Sequence, residues 1–103
     1  MTQAIALAFL AGLMGLNGVP HFVTGITGRE FPNLTGNSAT NNAVGGLVAF
    51  VIAGVLLALA HVAGHPLAAL IAGGVGAVAM TVFHARRGAY WLSTRFGRPL
   101  PQA

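Results

Sequence analysis

The chain has 103 residues, of which 55% are hydrophobic and 6% charged, and five Arg against one Glu give a formal net charge of +4. Soluble domains carry about a quarter charged residues, so this composition excludes an ordinary water-facing surface, and the length provides one compact unit. Cys and Asp are absent, which excludes disulfides, thiolate metal sites, cysteine nucleophiles and a Ser-His-Asp arrangement.

No charged side chain precedes Arg29, and none lies between Glu30 and Arg86. Only helices and closed β-barrels satisfy their own backbone in lipid. The apolar runs 5–13 and 48–59 lack the polar alternation of barrel strands. A helix needs roughly 20 apolar residues to cross a bilayer core. The expected architecture is therefore an all-α integral membrane protein: three transmembrane helices plus a C-terminal interfacial segment, all in a single membrane domain.

Span one is expected over residues 3–23. It lacks the basic start of a secretion signal and reads as an uncleaved span. Pro20 pushes its predecessor out of the α region, so the helix is expected to kink or stop there. The connection 24–42 is the main polar stretch. It holds Arg29 and Glu30, read as a solvated pair, and the N-cap residues Ser38, Thr40, Asn41 and Asn42. Asn33-Leu34-Thr35 matches a glycosylation sequon, a weak pattern on the wrong side of the membrane in the topology below.

Span two is expected over 43–62. A tight turn follows at 61–66, and Pro66 suits the first turn of span three, expected over 67–85. The tail 86–103 sets Tyr90 and Trp91 among Arg86, Arg87 and Arg95, the composition of a segment at headgroup depth. Four Arg after the last span place the C-terminus in the cytoplasm and, across three spans, the N-terminus outside, as expected for a bacterial inner membrane. The same placement argues against nucleic acid as a partner, since it is a topology signal and no basic patch on a soluble face.

Helices in lipid associate where small residues allow close approach. Span one carries Ala4, Ala8 and Gly12 four apart, and also Ala11 and Gly15. Span two carries Ala49 and Ala53, and Gly54 and Ala58. Span three carries Ala69, Gly73 and Ala77, and Ala68, Ala72 and Gly76. Gly12, Gly15, Asn17, Gly54, Gly73 and Gly76 are the expected helix-packing positions. Asn17, the most polar residue of its span, is expected to form an interhelical hydrogen bond, and Thr81 to bond the carbonyl one turn back.

No carboxylate lies within a span, which argues against proton-coupled transport. His21 and His84 are expected in the same leaflet, where two imidazoles on facing helices can ligate a haem. His61 and His65 are four apart, but Gly64 and Pro66 break any helix between them. The bland alternative for all four is an interfacial side chain with a wet tip.

The string Gly18-Val-Pro-His-Phe-Val-Thr-Gly-Ile-Thr-Gly, followed by Asn37-Ser38-Ala39-Thr40-Asn41-Asn42, resembles small bacterial integral membrane proteins that carry a GVPHFVxGIxG stretch after their first span. The resemblance covers residues 18–54 and departs at Gly45-Gly46, where an aromatic residue is expected. It implies architecture and no activity. The expected function is a non-catalytic accessory or structural subunit that packs against other membrane proteins or copies of itself. The alternatives are an oligomeric, holin-like pore or small transporter lined by Asn17 and Thr81, and a haem-binding electron-transfer subunit using His21 and His84.

Overall fold

The computed structural model describes residues 1–102. It is all-helical, in the order α1 (Thr2–Ile26), α2 (Ala39–Leu59), a 3₁₀ turn (Val62–Gly64), α3 (Pro66–Ala85) and α4 (Gly88–Arg95). The three long helices are each long and apolar enough to cross a membrane. The molecule measures 47 × 22 × 19 Å.

Each helix boundary has a local cause. Of the expected kink or stop at Pro20, the stop does not occur; Pro20 lies inside α1, which runs on to Ile26. Ending the helix there would leave further backbone groups unsatisfied where water cannot reach them, at several kcal/mol each, so an apolar helix continues past a proline. The stop comes at Gly28, whose φ of +75° suits a residue without a Cβ. There Gly28 N–H donates to Gly25 O and Arg29 N–H to Thr24 O, both at 3.0 Å, the paired bonds of a Schellman motif. Helix α2 starts at Ala39, earlier than the expected 43, because Ser38 caps it: its Oγ accepts from Asn41 N at 3.1 Å. Pro66 opens α3 as expected. His61 takes a left-handed conformation (φ 52°) to make the turn before α3.

Helix α1 is the centre of the bundle. It packs against both α2 and α3, which make hardly any contact with each other. The interior is built from small side chains: Ala4, Ala8, Ala11, Ala49, Ala53, Ala69 and Ala72 are buried, while Leu47, Val51, Val55, Leu67, Leu70 and Val78 are exposed. This inverts a soluble core. Lipid rewards no burial of leucine, so bulky residues face outward and the contact goes to residues that let backbones approach.

The glycines show how close that approach is. A Cβ at Gly12 would strike Gly73 O, and one at Gly76 would strike Phe9 O. Gly73 itself faces Ala8 O, so Gly12, Gly73 and Gly76 form the α1–α3 crossing. Gly15 faces the Ala53 side chain of α2. Gly54 takes no part in these crossings: a Cβ there would meet nothing within 4 Å among the described residues. The main α1–α2 crossing lies elsewhere. A Cβ at Gly18 would lie 2.8 Å from Gly46 O, and one at Gly46 would lie 2.6 Å from Phe22 N.

Candidate functional site where α1 and α3 end

The largest fully buried side chains are Asn42, Pro32 and Ser93, so polar chemistry concentrates inside one end of an otherwise alanine-lined molecule. That end is where α1 finishes, α2 starts and α3 finishes. The connection between α1 and α2 folds over it, and α4 closes its side.

Asn42 organises this region and is 0% exposed. Its Nδ2 donates toward Phe31 O at 2.9 Å, Ser38 O at 3.0 Å and Asn37 O at 3.1 Å. Three carbonyls around one amide nitrogen set the orientation of the amide. Its Oδ1 therefore faces His21 Nδ1, 2.5 Å away. An amide oxygen only accepts, so Nδ1 of His21 carries the proton and, in the neutral ring, Nε2 carries the lone pair.

The second imidazole is arranged in the same way. His84 Nε2 lies 2.9 Å from Asn17 Oδ1. With Nε2 donating, the lone pair of neutral His84 falls on Nδ1. That nitrogen is buried and has no hydrogen-bond partner among the described residues. The two rings stand edge to face, 5.7 Å apart between centroids. Phe31 packs on both, at 5.0 Å from His21 and 6.0 Å from His84, and Phe83 lies 5.2 Å from His84.

The covering loop is knitted by asparagines. Asn33 N–H donates to Asn37 Oδ1 at 3.0 Å, Asn37 Nδ2 donates to Pro99 O at 2.7 Å, and Asn41 Nδ2 donates to Thr35 Oγ1 at 2.9 Å. Beneath it lies a cavity of about 140 Å³, lined by Asn17, His21, Asn33, His84 and Ser93 among others. Cofactor-sized ligands occupy roughly 300–1,000 Å³. The space between the loop and the rings is thus smaller than a haem needs, although His21 and His84 do meet as expected. Among the described residues no three His, Cys, Asp or Glu side chains gather.

The other expected positions fall as follows. Asn17 forms its interhelical bond, to His84. Thr81 donates to its own Ala77 O at 2.8 Å. In place of a mutual pair, Arg29 Nε donates to Thr27 Oγ1, and Glu30 accepts from Gln102 N–H. Around α4, the Arg87 guanidinium sits 4.0 Å over the Tyr90 ring, Trp91 is 62% exposed, and Arg86 and Arg95 are exposed. His61 and His65 flank the 3₁₀ turn, one at each end. Sequence reasoning read Asn42 as one of several N-cap residues, met Asn33 only as part of a weak glycosylation sequon, and assigned no part to Phe31 or Ser93. Asn42 carries one signal of its own, a second Asn directly after Asn41, four residues beyond a Ser cap that needs neither.

No family model, curated protein or solved structure matches this chain.

Proposed function

We propose that the chain is a non-catalytic accessory or structural subunit of a bacterial inner membrane. It packs against other membrane proteins or copies of itself, with its N-terminus outside and its C-terminus in the cytoplasm. One observation carries this reading. Because α2 and α3 each rest on α1 without meeting, an apolar cleft of about 500 Å³ opens between them. Its floor is Ala8, Ala11, Gly12, Gly73 and Gly74, with Leu57 and Leu70 at its edges. Gly54 and Gly74 also face outward with nothing from the chain within 4 Å. Outward-facing small residues admit a neighbouring helix at short range. The composition supports a non-catalytic role, since the only carboxylate side chain is Glu30.

The natural absence of Cys makes the test direct. Single substitutions Gly54→Cys, Leu70→Cys and Gly74→Cys are introduced into the full chain and oxidised in native membranes. Helix-to-helix packing gives a position-dependent cross-link, absent at the lipid-facing control Val44→Cys. Native mass spectrometry from mild detergent then gives the stoichiometry. Absence of any cross-link, together with a bare monomer in the spectrometer, rejects the proposal.

A further inference from the structure

We propose that the outward face of α4 binds the headgroups of anionic phospholipids, with Arg87 and Arg95 as the central contacts and Arg86 and Arg98 beyond its two ends. Packing decides which face that is. Ala89 and Ser93 sit four apart on α4 and are buried, and a Cβ at Gly88 would strike the Phe83 ring of α3. The helix is therefore held against the bundle by one side. Arg87, Trp91 and Arg95 are also four apart, which puts them together on the opposite side. All three are exposed, and so are Arg86 and Arg98.

The charge on that face has no match within the chain. Residues 86–102 contain four Arg and neither Asp nor Glu. The single carboxylate side chain, Glu30, lies in the connection between α1 and α2 and accepts from Gln102 N–H. The partner must bring the negative charge. The Arg87 guanidinium lies 4.0 Å over the Tyr90 ring, a cation–π contact that steadies the side chain. Its N–H donors lie in the guanidinium plane, in the fork that suits phosphate oxygens.

Two features select a lipid over a nucleic acid or an acidic protein. Helix α4 begins three residues after the membrane-length α3 ends, so the basic face lies beside the end of a span. Arginines clustered there attract anionic lipid. Trp91 is 62% exposed and Phe96 65% exposed among them. Aromatic rings interleaved with arginines favour the depth where headgroups meet acyl chains. The proposal rests on the membrane-spanning reading of α1, α2 and α3. It is independent of subunit packing and of which side of the membrane α4 occupies.

Trp91 is the only tryptophan of the chain and reports on this face directly. The full chain is placed in nanodiscs of phosphatidylcholine with a minority of phosphatidylglycerol. In one set the phosphatidylglycerol carries brominated acyl chains. In the other an equal amount of the phosphatidylcholine does, so the headgroup composition is the same in both. The expected result is Trp91 quenching about two- to fivefold stronger in the first set, fivefold being roughly the attraction of one arginine at the surface. The preference falls toward equality in Arg87→Gln/Arg95→Gln and survives in Arg87→Lys/Arg95→Lys, which keeps the charge. It also falls in the wild type as salt approaches 1 M, where screening reaches within about 3 Å, a readout that needs no variant. Equal quenching in the two sets at low salt overturns the proposal, as does a preference that neither salt nor loss of the two arginines reduces. Quenching by aqueous acrylamide with none from either lipid, in protein still held by the nanodisc, overturns it too and turns the face toward a water-borne partner.

Discussion

Asn17 on α1 and His84 on α3 are 67 residues apart in the chain and share a hydrogen bond of 2.9 Å. Side-chain bonds between transmembrane helices are worth about 0.6 kcal/mol on average and up to about 1.7. Asn17→Leu removes the acceptor and leaves His84 with both ring nitrogens unpartnered. The expected loss is about 1–1.7 kcal/mol, at the upper end of that range, read as a shift of the unfolding midpoint in mixed micelles. An unchanged midpoint shows that the bond contributes nothing to the fold.

Substitutions at the α1–α3 crossing separate two kinds of glycine. At Gly76 a side chain meets Phe9 O, which is backbone and cannot swing aside. Gly76→Val is expected to cost 1–3 kcal/mol or more by forcing the helices apart, the usual range for overpacking being about 1–3 kcal/mol. Gly54→Ala meets open space and gains helix propensity of up to about 1 kcal/mol, so the isolated chain tolerates it. Midpoints measured side by side in one detergent make the comparison. Equal losses at both positions contradict the packing described here.

Asn42→Ala removes the donor to three carbonyls and the oxygen facing His21. Leaving buried polar groups unsatisfied costs about 1–3 kcal/mol each. The expected consequence is local: faster amide exchange over residues 28–38, with the middle of α1 and α3 still protected. Hydrogen-exchange mass spectrometry resolves the two regions. Uniform protection in the variant dismisses Asn42 as the organiser of the loop.

His61 sits at φ 52° in the turn before α3. The left-handed conformation costs a residue with a Cβ about 1–2 kcal/mol, a penalty glycine avoids. His61→Gly is expected to hold or raise stability, whereas the β-branched His61→Val lowers it. Thermal unfolding of the two variants checks the order, and a more stable valine variant contradicts the assigned backbone.

The orientation proposed from the four C-terminal arginines has its own readout. A fluorescent-protein fusion after residue 102 is expected to fluoresce, and an alkaline-phosphatase fusion at the same place to remain inactive. The opposite pair of results reverses the topology.

Much of the architecture was legible in the order of residues. The uncharged stretches, the terminal arginines and the proline at 66 located three membrane-length helices and a tail of different composition, because lipid excludes charge and sets the helix length one segment at a time; that the tail holds the helix α4 was not read from it. Cap chemistry is equally local, and Ser38 behaves as its neighbours dictate. The stop expected at Pro20 did not occur, because ending the helix there would strand more backbone groups where water cannot reach them; Gly28 ends it instead.

What tertiary structure alone decided is which surfaces meet. Alanine and glycine occur on several faces of each helix, so spacing could not show that α1 would be central, that Gly18 and Gly46 would touch, or that Gly54 would face outward. The pairings of His21 with Asn42 and of His84 with Asn17 depend on the depth at which separate helices cross. That depth is set by the sum of close backbone contacts along both interfaces, a quantity no local window of sequence contains.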